Sequence, residues 1–360
     1  MEIRSTGEDA YFAASNSENG FFSYYSECFD AARVKRVFAI KGGPGTGKSR
    51  FLREVAVCGE GQSYQCEYIY CSSDPDSLDG VILSRGDDCI ALLDATAPHV
   101  YEPRLVGVRE EIVNLGAFWD GSILADAASE IAALNAQKKE AYESAYRYLS
   151  VAGRMRENCD VLVSPYLRHE GIRALAARLL REVEVGTAFE ARPALISSIG
   201  MCGHVSYDTY LRRAKRVFFI EDCHGSAYRL MQELFSLARA KQLSLRVSHD
   251  PVVPAYLDGM LLSDSHIAFL VSPTQPCDAS SKTIRMRSFV QTAQMKPIRG
   301  AIHFAERLRR SALLGAEAAL RQVRTSHFAL ERLYGNAMDF EAKEQFTKKF
   351  IQRLFGLQNS

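Results

Sequence analysis

The sequence predicts an α/β fold made of two tandem copies of one unit, the second degenerate, with helical additions after each copy. Three observations carry this expectation. An apolar, β-prone run, Val37 to Ile40, enters a turn carrying Gly42, Gly43, Gly45 and Gly47, and a helical stretch from Arg50 to Ala56 leaves it. Segments of the first half return in the second: Lys35-Arg-Val-Phe-Ala-Ile40 as Lys215-Arg-Val-Phe-Phe-Ile220, and Ser77-Leu-Asp-Gly-Val-Ile-Leu83 as Tyr256-Leu-Asp-Gly-Met-Leu-Leu262. Beyond each copy, apolar residues recur at helical spacing.

The glycine-rich stretch has the spelling G-x-x-x-x-G-K-[ST] in a strand–loop–helix setting, which is the phosphate-binding P-loop. Polyphosphate oxygens are cradled by successive backbone N–H groups. These approach closely where no Cβ intervenes and where positive φ is cheap, hence the glycines. The helix start adds free donors and the positive end of its dipole. Gly42, Gly43, Pro44, Gly45, Thr46, Gly47, Lys48, Ser49 and Arg50 form the expected binding loop. Lys48 is expected at the β/γ-phosphates and Ser49 on Mg²⁺. A copy-one P-loop NTPase core is therefore expected over residues 1–120.

The remaining chain divides into a helical hairpin insertion (121–185), a degenerate P-loop-like core (186–299) and a C-terminal helical segment (300–360). Within each core a second strand follows the loop helix, Cys66 to Cys71 or Leu243 to Val247. An acidic loop, Ser72 to Gly80, comes next in copy one. Two apolar segments then flank the turn Ser84-Arg-Gly-Asp-Asp88. Amphipathic helices are expected over 123–152, 172–183, 302–334 and 340–356.

Copy two has Asp222-Cys-His-Gly-Ser-Ala-Tyr-Arg229 where copy one has the loop, so the lysine is gone and an acid faces the anion position. Tight nucleotide binding is expected in copy one alone. Asp94, ending the strand Cys89-Ile-Ala-Leu-Leu-Asp94, is the expected second metal ligand opposite Ser49. Its counterpart is Val271. Ala95 stands where many motor ATPases carry a catalytic Glu, so a base must come from elsewhere. Asp74 and Asp76, with Asp79, are candidates because their loop lies at the sheet edge where such folds bind ligands. Turn-forming roles are the alternative for each. Thr96 and His99 are expected near the γ-phosphate. Arg212, Arg213, Arg285 and Arg287 are conceivable arginine fingers, while Glu110, Glu111 and Trp119 carry no assigned role.

Composition bounds the class. The 360 residues are 47% hydrophobic and 24% charged, ordinary globular values. No apolar run reaches membrane-spanning length, and the N-terminal residues lack the pattern of a signal peptide, so a cytoplasmic protein with no membrane partner is expected. The nine cysteines are scattered without a C-x-x-C pair, which reads as reduced thiols. The net charge of +1 hides an asymmetry, with 20 Lys and Arg against 28 Asp and Glu in residues 1–185 and a basic remainder. Two halves of opposite sign lying against each other account for it, and no aromatic-interleaved basic motif supports nucleic acid.

The loop G-G-P-G-T-G-K-S, the segment C-S-S-D-P-D-S-L-D-G, the strand I-A-L-L-D-A-T-A-P-H, the stretch E-E-I-V-N-L-G-A-F-W-D and the decayed second copy together resemble a family of uncharacterised bacterial tandem P-loop proteins. The resemblance implies the P-loop NTPase fold twice over and ATP binding; the second copy departs from the family in lacking its own loop. Without an N-K-x-D stretch, ATP is expected over GTP. The expected activity is slow Mg·ATP hydrolysis coupled to a conformational change or a protein partner. A small-molecule or nucleotide kinase and a non-hydrolysing nucleotide sensor are the alternatives.

Overall fold

The structure is a computed structural model in which residues 2–98, 101–271 and 281–357 are described. The first half contains β1 (Glu2–Arg4), β2 (Asp9–Phe12), the hairpin β3 (Ala14–Ser17) and β4 (Gly20–Ser23), α1 (Tyr25–Cys28), β5 (Arg36–Lys41), α2 (Lys48–Gly61), β6 (Gln65–Tyr70), β7 (Leu78–Arg85), β8 (Asp88–Asp94) and β9 (Glu110–Asn114). Three helices follow: α3 (Gly121–Asp126), α4 (Ala128–Val163) and α5 (His169–Leu179). The second half repeats the series with β10 (Glu190–Pro193), β11 (Ser197–Gly200), β12 (Gly203–Tyr207), α6 (Thr209–Arg213), β13 (Arg216–Glu221), α7 (Ala227–Ala240), β14 (Ser244–His249), β15 (Leu257–Leu262), β16 (Ile267–Val271) and β17 (Ser281–Arg285). It ends in α8 (Arg299–Asn336) and α9 (Phe340–Phe355).

Each half is an α/β unit on a mixed six-stranded sheet, and the two sheets share one topology. The first runs β2-β6-β7-β8-β5-β9 and the second β10-β14-β15-β16-β13-β17. The register repeats as well: Ile40 lies opposite Asp94, and Ile220 opposite Val271. Strand β5 is paired in parallel with β8 along one edge and β9 along the other, and Val37 to Ile40 are all buried, so both its faces are covered. Helix α2 packs by Phe51, Leu52, Val55, Ala56 and Gly59, one face at helical spacing.

The helices do not stay with their own sheets. The hairpin expected over 121–185 is absent: α4 lies against α8, and α5 packs on α7 of the second half. The facing stripes are Ala141, Ala145, Leu149 and Ala152 on α4, and Ala312, Ala316, Ala319, Leu320 and Val323 on α8. Such small side chains allow close approach along both helices. The pair is antiparallel, since Lys138 meets His327 while Tyr148 meets Gly315. Helix α9 then crosses to the first half, where Phe350 and Leu354 complete the core of the first sheet. In the same way Val163, Leu167, Ile172 and Leu175 complete the core of the second.

Hydrogen bonds at the two crossings match pair for pair. Asp120 N–H donates to the Ala337 carbonyl and Asp339 N–H to that of Phe118; Gln291 N–H donates to the Tyr166 carbonyl and Arg168 N–H to that of Phe289. The arms therefore obey the same internal two-fold relation as the sheets.

The halves meet directly through opposite charges, as the charge asymmetry led us to expect. Glu67 of β6 is bound by Arg192 and by Arg246, the latter at 2.7 Å, and Arg213 binds Asp9. Burial alone would raise the Glu67 carboxyl; the two guanidiniums hold it well below the usual carboxylate range. Arg212 reaches the carbonyls of Gly7 and Glu8 across the same junction. Among the described residues no helix is long and apolar enough to cross a membrane, and the eight described cysteines are free thiols.

Two outcomes follow from this packing. Phe350 sits 5.0 Å from the Phe38 ring and 5.1 Å from the Phe51 ring, so Phe350→Ala is expected to cost about 3–5 kcal/mol in urea unfolding. Asp258, in β15, binds the Ser197 hydroxyl through one oxygen while the other is buried without a partner, and burial pushes its carboxyl up to about 7. The native state thus holds this proton more tightly than the unfolded chain does. The associated stability is full below about pH 4 and is lost as pH rises through about 7, at ~1.4 kcal/mol per pH unit. Asp258→Asn is expected to flatten that part of the profile, read as urea midpoints between pH 5 and 8.

Candidate functional site

The glycine-rich loop lies between the C-terminal end of β5 and the start of α2. Gly45 and Gly47 adopt left-handed φ of 74° and 75°, which the local sequence permits because neither carries a Cβ. Thr46 is fully buried, and its hydroxyl donates to the Gly43 carbonyl at 2.9 Å. Thr96, just past β8, ties the loop entrance by donating its hydroxyl to the Gly42 carbonyl at 2.8 Å. Lys48 folds back over the loop, donating to the carbonyls of Gly42 at 2.7 Å and Gly43 at 2.8 Å.

Asp94 stands opposite, 3.5 Å from the Lys48 ammonium and 7% exposed. Burial raises its carboxyl above the ordinary value, Lys48 lowers it, and the Asp79 charge raises it again. Ser49 lies on the same side, its hydroxyl accepting the Leu78 N–H at 2.9 Å. Lys48, Ser49 and Asp94 are thereby gathered at one sheet edge.

The acidic loop divides unexpectedly. Asp79, buried at the start of β7, is the one whose charge Asp94 feels. Asp76 is exposed and paired with Arg4 at 2.6 Å. Asp74, its carboxyl raised by burial, lies close enough to feel Asp76, His327 and Glu331. Ligand atoms of Asp74, Asp76 and Cys202 fall within 4.8 Å of one another, a grouping that surface acids adopt readily without an ion. The Arg50 side chain is held by Glu54 and Glu344 on the exposed face of α2. Arg285 pairs with Glu221, and Arg212 and Arg213 serve the junction between halves, so none of these three is directed at the loop. Glu110 is buried beneath the N–H groups of Arg104 and Leu105, a structural role. His99 lies outside the described residues.

Residues distant in sequence complete the surroundings. Half-buried Pro44 forms the loop's shoulder, and Trp119, its ring tilted against that of Tyr334, covers Gly43. The end of α8 presses on the loop tip: a Cβ on Gly45 would lie 2.3 Å from the Glu331 carbonyl oxygen. Buried Lys343 of α9 approaches Gly47. Lys138 of α4 reaches His327 of α8, Nζ to Nδ1, at 3.4 Å, and His327 Nε2 lies 3.5 Å from Glu331. Spacing along the chain gives no sign of these partners.

The second half shows what such a loop does with an anion. Asp222, in the position of Gly42, turns its carboxylate onto the N–H groups of Gly225 at 2.9 Å and Ala227 at 2.7 Å, and Arg156 of α4 binds the same carboxylate at 3.1 Å. Tyr228 and Arg229 replace Lys48 and Ser49, and both bind Asp160 of α4. In the first half no described side-chain carboxylate accepts from Gly45 or Gly47, the equivalents of Gly225 and Ala227.

Comparison with protein-family models, with curated proteins and with solved structures found no match to this chain. The reading of the site therefore rests on its own geometry.

Gly45→Ala tests the loop's constraint directly. The substitution combines a left-handed φ with a backbone clash, so a loss of at least ~2 kcal/mol in urea unfolding is expected, whereas alanine at exposed, unobstructed Gly61 should cost little.

Proposed function

We propose that the first half is a P-loop core that binds Mg·ATP at residues 42–49, and that the protein is a slow ATPase coupled to movement of its helical arms or to a protein partner. The observation that carries this reading is the contrast between the two loops. One set of loop amides is satisfied by an internal carboxylate; on its counterpart no described side-chain carboxylate accepts, and Lys48, Ser49 and Asp94 flank it. The donor set fits a polyphosphate: backbone N–H groups, a helix N-terminus and an ammonium.

In this reading the amides of Gly43 and of Gly45 to Ser49 hold the phosphates and Lys48 balances the β/γ charge. Ser49 and Asp94 are the oxygen donors suited to Mg²⁺, which when bound would screen the phosphate charge. Asp79 takes the place of the base that Ala95 does not provide, since its carboxylate lies beside Asp94 and is shielded from solvent. Burial favours the neutral form of Asp94, and Lys48 opposes that tendency. ATP is preferred over GTP because no guanine-reading element is present. The free thiols accord with a reducing, cytoplasmic setting. The reading also keeps the chain among tandem P-loop proteins.

Ala95 favours a second reading, a nucleotide sensor that retains ATP without turning it over. Phosphate release by purified protein with Mg·ATP separates the two. Lys48→Ala is expected to abolish any release and to weaken ATP binding by about 2–3 kcal/mol in calorimetry. Equal release by the variant would remove the ATPase reading, and unaltered affinity would remove the loop as the binding site.

A further inference from the structure

We propose that the two long helices deliver Lys138 and His327 to the phosphates of the nucleotide held by the glycine-rich loop, so that the arms close the site and register its occupancy. The proposal rests on the nucleotide reading above and adds to it the residues that touch the ligand from outside the loop.

The second half provides the template. There the anion is built in, as the Asp222 carboxylate on the Gly225 and Ala227 amides, and Arg156 of α4 binds it from above. Arg309 of α8 stands beside Arg156, near enough for each charge to be felt at the other, with no carboxylate within ion-pair distance among the described residues. The matched hydrogen bonds at the crossings define the counterparts. His327 precedes Met338 by the interval at which Arg156 precedes Leu167, and Trp119 bridges Met338 just as Val290 bridges Leu167. Lys138 follows Phe118 as Arg309 follows Phe289. The first-half loop therefore faces Lys138 and His327 where the second-half loop faces Arg309 and Arg156.

The first-half contacts agree with this mapping. The Lys138 ammonium lies 3.4 Å from His327 Nδ1, and no described carboxylate lies within 4 Å of it. Burial lowers its affinity for a proton, the nearby Cys71 and Glu331 partly restore it, and the charge of Lys48 lowers it further. Two ammonium groups near enough to feel each other, beside loop amides on which no described carboxylate sits, form an arrangement that a polyphosphate relieves and water relieves poorly.

The test is calorimetric titration of Mg·ATP into the full chain and four variants. Lys138→Gln is expected to weaken ATP about tenfold or more, and His327→Gln by several-fold. Lys138→Arg, which keeps the charge and copies Arg309, should recover most of the affinity, a rescue that a merely structural lysine would not show. Arg309→Gln, at the second loop, should bind as the unaltered protein does. Melting temperatures without ligand report folding, and His327→Gln carries the test independently if Lys138→Gln unfolds. Affinities of Lys138→Gln and His327→Gln within twofold of the unaltered protein, which itself binds ATP, would overturn the arm proposal alone. An unaltered protein that takes up no ATP would overturn the nucleotide reading and this proposal with it.

Discussion

The contact on which the rest of the molecule depends is the exchange of helices between halves. Phe350 of α9 fills the face of a sheet whose strands lie more than two hundred residues earlier, and Ile172 of α5 does the same for the later sheet. Neither sheet has a complete apolar covering from its own repeat. The antiparallel α4–α8 pair is the mechanical result, because each helix must run from the sheet it follows to the sheet its successor covers. Small residues along both helices let them pack closely on the way.

That exchange brings the end of one arm and the middle of the other over each loop. In the second half the ensemble is closed on itself: carboxylate, amides and guanidinium satisfy one another. In the first half the charges are left differently balanced. Lys48 meets two carbonyls and a buried carboxylate, while Asp79 pushes that carboxylate toward its neutral form. The two loops thus differ in whether a described carboxylate of the chain sits on their amides. A single substitution at the loop entrance, Gly42 in one copy and Asp222 in the other, marks most of the difference.

Much of the architecture was legible because it is local. The run Val37 to Ile40, the glycines and the helix from Lys48 specify strand, turn and helix within twenty residues. The repeated segments fixed the counterpart of Asp94 as Val271, and the strand register agrees. The exchange was not legible: an amphipathic stripe such as Ala141, Ala145 and Leu149 states that a face is covered, but not by what. Asp79 shares one acidic run with Asp74 and Asp76, yet it lies within β7 and is buried while Asp76 is exposed, a distinction set by where the strand starts. Lys138 and His327 sit among exposed polar helix residues, and only the pairing of α4 with α8 brings them together.

The crossing of α9 also dictates an order of events on the ribosome. The first sheet emerges early, but its last wall is not made until residues 340–355 have been synthesised, so it must wait while the more than two hundred residues between them are made, with an apolar face uncovered. Nascent chains of this kind are natural clients for holding factors. The second sheet faces no such wait, because α5, which covers it, is made before its strands are.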